Sequence, residues 1–220
     1  MTRKHTLIAA AALAALPLAA QAQSGSVAAG VNLGTPGIGA ELQVQAAPGF
    51  VIRGAVDGLK IDRDEDYSGV PYSAELKSLT GGLFADWHPM GGGFLVSGGA
   101  YFGDRKLDLS AAPTAPVVIG GQTFTAAQVG RLDGEIKMSK VQPFVGLGYD
   151  NTFTADRGWG FKLIAGVALS KKPGVTLTAT GGTFSPDFQT RLSQEVRDVQ
   201  EDAEDFRYYP VVQVGVTRRF

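Results

Sequence analysis

The sequence predicts an all-β fold: an antiparallel up-and-down transmembrane β-barrel, eight-stranded by count, with one amphipathic helix in its last long loop. Three observations predict it. Stretches of about ten residues alternate apolar side chains with small or polar ones, the period-2 pattern of a strand with two unlike faces. The connections between them alternate short and long, as in barrels with turns at one rim and loops at the other. Glycine is 30 of 220 residues, about twice the usual share, and an interior helical glycine costs about 1 kcal/mol against alanine.

Composition narrows the function classes. There is no cysteine, which excludes a disulfide scaffold, a thiolate metal site and a thiol nucleophile. The formal net charge of −1 leaves no basic footprint for nucleic acid.

Residues 1–22 read as a secretory signal peptide. Arg3 and Lys4 precede an unbroken apolar run, Leu7 to Ala20, and Ala20-Gln21-Ala22 is a small-residue cleavage site. The run is too short to span a bilayer and holds Pro17. Loss of Arg3 and Lys4 leaves 18 basic against 21 acidic residues, a net charge of −3. The mature chain, 23–220, carries no long apolar helix, so after export it is either soluble or a barrel in an outer membrane.

Eight strands follow in order. The first two are Gly25–Gly34, with Val27, Ala29, Val31 and Leu33 on one face, and Gly37–Ala46, with Ile38, Ala40, Leu42 and Val44 against Glu41 and Gln43. Phe50–Ile61 sets Arg53, Ala55 and Asp57 opposite Ile52 and Val56, and Tyr72–Trp87 sets Asp86 opposite Trp87. Phe94–Leu109, Ile136–Tyr149, Trp159–Ser170 and Tyr208–Phe220 repeat the pattern. Pro48-Gly49, Pro89–Gly93 and Asn151–Gly158 are short turns; Asp62–Pro71, Ser110–Glu135 and Lys171–Arg207 are long loops; Thr35-Pro36 is the one tight connection on the loop side. With both termini in the periplasm the short turns fall there, the apolar face meets lipid and the glycine-rich polar face lines the lumen. A soluble β-sandwich also alternates. The barrel is favoured by aromatics near strand ends (Phe50, Trp87, Phe94, Tyr149, Trp159 and Tyr208), placed as interfacial girdles.

The chain ends on Phe220, with Val216, Val214 and Val212 at alternate positions before it. This resembles the C-terminal assembly signal of outer-membrane barrels; Arg218 departs from it, where an aromatic or aliphatic residue is usual, and an Arg near the interface can snorkel. Across the mature chain the architecture resembles the small proteobacterial outer-membrane barrels of the OmpA, OmpW and opacity types. That resemblance implies a monomer in outer-membrane lipid, inserted by the barrel-assembly machinery, and, by the OmpW likeness, a narrow path for small solutes as the alternative function.

Within the last loop, Ser185-Pro186 is a helix start. Phe188, Leu192, Val196, Val199, Ala203 and Phe206 follow as an apolar stripe opposite Glu195, Asp198, Glu201, Asp202, Glu204 and Asp205. The helical insert, 185–206, reads as a lid packed on the barrel rim; the alternative is a partner-docking helix. Val117 to Phe124, with Gly120-Gly121 at its centre, reads as a tight hairpin, and Val175–Thr180 as a further β-prone piece; counted as strands, these would give ten. The acidic run Asp62-Arg63-Asp64-Glu65-Asp66 lacks the calcium-loop spacing and reads as a solvated loop.

The alternation turns six charges inward: Glu41, Arg53, Asp57, Asp86, Lys162 and Arg219. A barrel of about eight strands is just wide enough for side chains to fill it, and buried charges there must pair. The balanced set therefore reads as a salt-bridged plug, or else as gating charges of a narrow path. Arg53 is expected to bridge Glu41 and Asp86, with Lys162 approaching across the lumen. His88, the one histidine of the mature chain, sits in a turn far from the outer leaflet where a barrel lipid hydrolase would work. No catalytic, cofactor or metal site is expected. The reading is a non-enzymatic outer-membrane protein, structural or surface-interacting, with a narrow channel as the alternative and a lipid-modifying enzyme as the least favoured.

Overall fold

The computed structural model describes residues 26–67, 70–156, 158–203 and 207–220. The expected signal peptide, and Glu204, Asp205 and Phe206 at the end of the helical insert, lie outside the described residues. The strands are β1 (Val27–Gly34), β2 (Gly37–Ala47), β3 (Phe50–Tyr67), β4 (Val70–Trp87), β5 (Phe94–Ala111), β6 (Val117–Ile119), β7 (Gln122–Phe124), β8 (Arg131–Lys137), β9 (Val141–Asp150), β10 (Trp159–Leu169), β11 (Gly174–Thr180) and β12 (Tyr208–Arg219). The helices are α1 (Ala126–Val129) and α2 (Pro186–Asp202).

The sheet closes on itself. Antiparallel neighbours run β5-β4-β3-β2-β1-β12-β10-β9, and β9 returns to β5. This ring holds eight strands. Two further strands of the same sheet, β8 and β11, prolong members of it. β8 and β9 pair with β5 in one unbroken register, Lys106↔Lys137 above and Phe102↔Val141 below, so they are one long strand interrupted at 138–140. β11 likewise prolongs β10 and pairs with β8. At the interruption the Gly103 amide donates to the Lys140 carbonyl at 2.9 Å. Gly103 has φ +139°, and a Cβ there would lie 2.2 Å from the Leu79 carbonyl, so only glycine lets the strand bend there.

The barrel is therefore uneven at its loop rim. On one side β1, β2 and β12 stop at the Thr35-Pro36 turn. On the other, β3, β4, β5, β8 and β11 continue as a tall wall. This corrects two expected loops. Asp62–Pro71 is not a loop: β3 runs on to Tyr67 and β4 starts at Val70, paired as far as Tyr67↔Val70. Part of Ser110–Glu135 is β8. In both, the interfering signal was charge. Asp62, Arg63 and Asp64 lie on the upper half of β3, beyond Gly58, where its pairing with β2 ends. Charged side chains on an unpaired edge deter pairing with other chains.

α2 packs on the wall. The Ser185 hydroxyl accepts the Phe188 amide at 3.1 Å, capping the helix behind Pro186. Phe188 and Leu192 are buried with Ile119, Phe124 and Val129, against Leu132, Leu177 and Ala179 of the wall. β6 and β7 form the expected hairpin, with Gly120 and Gly121 both at positive φ, as its two-residue turn requires. The Gln200 side chain meets the free edge of β11, accepting the Val175 amide at 3.2 Å and donating to the Pro173 carbonyl. The helix thus covers its own protein's sheet edge.

Candidate functional site

Polarity is inverted relative to a soluble protein. The outer face exposes Val31, Leu33, Ile38, Leu83, Leu147 and Trp159, while Glu41, Arg53, Asp57, Asp86 and Lys162 are each at most 3% exposed. Apolar outside and charged inside is the arrangement of a barrel solvated by lipid. Among the described residues no helix is long and apolar enough to cross a membrane, and none of them forms a group of three or more metal-ligating side chains.

The lumen is built in layers. At the terminal end, Arg53 forks onto Asp86, Nε to Oδ2 at 2.7 Å and Nη2 to Oδ1 at 3.2 Å. Ser97 completes this knot, donating to Asp86 at 2.5 Å and accepting from Arg53 at 3.2 Å. Glu41 lies 4.0 Å from Arg53 Nη1 and is ion-paired by Lys162. Lys162 also donates to Asn32 Oδ1 at 3.1 Å. Gln43 bridges the carboxylates of Glu41 and Asp150, at 2.9 and 2.8 Å. Asp150 accepts the Thr152 amide and hydroxyl, and Thr152 meets Thr217 at 2.6 Å.

An aromatic layer sits next to this. The Arg53 guanidinium stacks 4.2 Å from the Phe84 ring centre. Phe84, Tyr101 and Phe144 pack edge-to-face in a triangle with centroids 4.9, 5.5 and 5.7 Å apart. Ile164, Ala168 and Val211 fill the rest of the cross-section. Asp57 takes a hydrogen bond from Gln213 at 2.9 Å. Toward the loops, Arg105 is sandwiched between Tyr101 and Tyr209, 5.2 and 4.0 Å from their ring centres. It donates to Ser78 at 3.2 Å and Gln142 at 2.6 Å.

The structure thus brings together Glu41, Arg53, Asp86 and Lys162, and places Asp57 in the same lumen. Arg219 is apart: it reaches the carbonyls of Phe153 and Ala155 at 2.9 and 3.2 Å, holding the β9–β10 turn at the terminal mouth. Val212, Val214 and Val216 face outward and Phe220 is two-thirds exposed, its amide donating to the Val27 carbonyl. Arg218 lies over the Trp159 ring, so the position that departs from the aromatic pattern turns outward and leans on an interfacial aromatic. His88 Nδ1 is 3.0 Å from the Gly92 carbonyl inside its own turn.

Sequence reasoning missed Asp150 and Arg105. Both were on inward positions of the alternation, Asp150 after Phe144, Gly146 and Gly148, and Arg105 after Ser97, Gly99 and Tyr101. Asp150 lay one residue past the expected strand end. The neutral partners Asn32, Gln43, Ser97 and Gln142 carry no charge to draw attention.

No family model matches the sequence, and no curated protein matches it. Solved structures do. The chain resembles CarO2 of Acinetobacter baumannii with a TM-score of 0.62 and 26% identity, over 88% of this chain and 98% of that one. It resembles CarO of the same organism with a TM-score of 0.61 and 23% identity, over 88% and 97%. A major outer membrane protein from Thermus thermophilus aligns at 14% identity and a TM-score of 0.38, over 88% and 97%, too distant to argue from. The inverted polarity, the closed ring and the two Acinetobacter neighbours define the class: an outer-membrane β-barrel protein, of CarO-like shape.

Proposed function

We propose that this chain is a non-enzymatic, monomeric outer-membrane barrel whose lumen is a closed structural plug, and that its working surface is the tall wall with α2. Residues 1–22 direct export and are removed, the termini stay in the periplasm, and the wall faces outward. The Phe220 end, with Val216, Val214 and Val212, serves recognition by the assembly machinery. One observation carries the reading: a complete cross-section of the lumen, from Arg53 and Lys162 to Phe84, Tyr101 and Phe144, is at most 4% exposed. A narrow gated path for small solutes is the second reading. It is favoured by buried polar atoms with no protein partner along the lumen, Asn32 Nδ2, Gln43 Oε1, Asp57 Oδ2, Thr80 Oγ1 and Arg105 Nη2, which leave hydrogen-bonding capacity for water there. Conductance of the refolded protein in planar bilayers separates them. The closed reading expects no steady single-channel current, and a regular ohmic current would replace it with the path.

A further inference from the structure

We propose that a band of lysines at the loop-side border of the apolar belt binds the phosphate groups of a phosphorylated outer-leaflet lipid. Of the nine lysines in the chain, Lys4 lies in the leader and Lys162 in the lumen. The other seven, Lys60, Lys77, Lys106, Lys137, Lys140, Lys171 and Lys172, all lie at one level of the barrel. Strand by strand, six of them follow the last outward apolar residue: Val56 then Lys60, Leu79 then Lys77, Phe102 then Asp104 and Lys106, Val141 then Lys140 and Lys137, Leu169 then Lys171, with Lys172 next in the chain. Counted from the aromatics at the other rim, the separations are Phe50 to Lys60, Trp87 to Lys77, Phe94 to Lys106, Tyr149 to Lys137 and Trp159 to Lys171. Those are ten to twelve residues, the length at which a tilted strand of about 9–11 residues leaves the hydrocarbon.

The pairing sharpens this. Lys60, Lys77, Lys106 and Lys137 are direct cross-strand partners on four consecutive strands. The next outward row, farther from the membrane, is Asp62, Glu75, Asp108 and Glu135. Ion pairs join the rows, diagonally across strands in Lys60–Glu75 at 2.8 Å and along one strand in Lys106–Asp108 at 2.9 Å and Lys137–Glu135 at 2.6 Å. For the sheet alone, rows of mixed sign would be better, because like charges directly opposite one another repel. With the one exception of Asp104, outward between Phe102 and Lys106, the lysine row lies on the lipid side and the acid row on the water side, which matches an anionic plane at headgroup level. The lysine ends remain open to it, with side chains from 32% to 62% exposed. At the break in the wall, the Ser139 amide donates to the Ser170 hydroxyl at 3.0 Å and the Lys171 amide to the Ser139 hydroxyl at 2.9 Å. This sets Lys140 and Lys171 side by side in the band.

The proposal rests on the outward orientation of the wall but not on whether the lumen conducts. It is tested with full-length refolded protein in neutral detergent, titrated with diphosphorylated lipid A and followed by thermal unfolding. Lipid A is expected to raise the unfolding temperature, and about 1 M salt, with a screening length near 3 Å, to abolish the rise. Lys137→Gln/Lys140→Gln/Lys171→Gln should weaken apparent affinity about a hundredfold, at roughly fivefold per lysine near an anionic surface. The matching Lys→Arg triple should retain it. The proposal is overturned if the Gln triple responds like the parent, if dephosphorylated lipid A gives the same rise, or if inorganic phosphate at equal concentration reproduces it. In each case conductance is read separately, so a lipid result leaves the closed-lumen reading standing or falling alone.

Discussion

The two ends of this barrel handle charge in opposite ways. At the terminal end, charged side chains point inward and are dry: Arg53, Asp86, Glu41 and Lys162 form one fixed network. In the tall wall, the paired charges Lys60, Asp62, Glu75, Lys77, Lys106, Asp108, Glu135 and Lys137 point outward and are wet, while the inward row Ile61, Leu76, Leu107 and Ile136 is aliphatic. The same strands carry both patterns without a break in alternation. What changes is the solvent outside them, hydrocarbon below and water above. A buried pair cannot lose one member without stranding the other charge, whereas a wet pair is replaced by water at little cost.

The largest expected effect follows from that contrast. Arg53→Ala strands Asp86, while Glu41 keeps Lys162, and should cost roughly 3–5 kcal/mol in urea unfolding of the vesicle-inserted protein. Lys77→Ala in the wall should cost about 0–1 kcal/mol. Equal costs would erase the distinction between the ends. Next comes Phe188, buried beneath α2. Phe188→Ala should free the helix as a local unit, so that protease cuts within 186–202 faster while global unfolding of the barrel hardly moves. If cleavage is unchanged, α2 is not held by its stripe. Ser185→Ala is a smaller version of the same test, worth about 1 kcal/mol through the lost cap and read as a modest gain in cleavage rate.

The barrel was legible because alternation is a backbone property that survives in any solvent. It gave the eight-membered ring and the inward set Glu41, Arg53, Asp57, Asp86 and Lys162. It failed where charge was read as loop. Asp62 and Asp64 lie outward on a strand, because outside the hydrocarbon a charged outward face is compatible with pairing. Most of β8 was hidden for the same reason, its Arg131, Asp133 and Glu135 facing outward, while Ile136 and Lys137 fell inside the expected strand. The uneven rim was not legible at all, since it depends on which strands outlast their neighbours. In the site, Arg219 was correctly alternated but lies at the mouth, where turn carbonyls rather than carboxylates are in reach. The helix was legible from its cap and stripe. That Gln200 would serve the β11 edge was not, because only the packed structure brings them together.

The smallest expected effect concerns acid. Lys60, and then Lys77, hold the Glu75 carboxyl down to about 2, from an ordinary value of 4.5. A lowered folded value stabilises fully above the ordinary value and is lost as pH falls through the lowered one. Protease resistance of the wall should therefore be flat from about pH 7 to about 5, and decline between 4.5 and 2. Lys60→Gln should move that decline upward. A decline already complete at pH 5 would show that the ladder does not hold Glu75.

The most direct test of the contrast uses the absence of cysteine in the chain, which makes any introduced thiol a unique probe. Ala168 is fully buried among Ile164, Phe144 and Val211 in the lumen, and Ser73 is exposed on the wall. In the vesicle-inserted protein, Ser73→Cys should react rapidly with a small charged thiol reagent. Ala168→Cys should stay unreacted until the barrel is unfolded. Labelling of Ala168→Cys at a rate comparable to Ser73→Cys would show an open, wet lumen and contradict the closed plug.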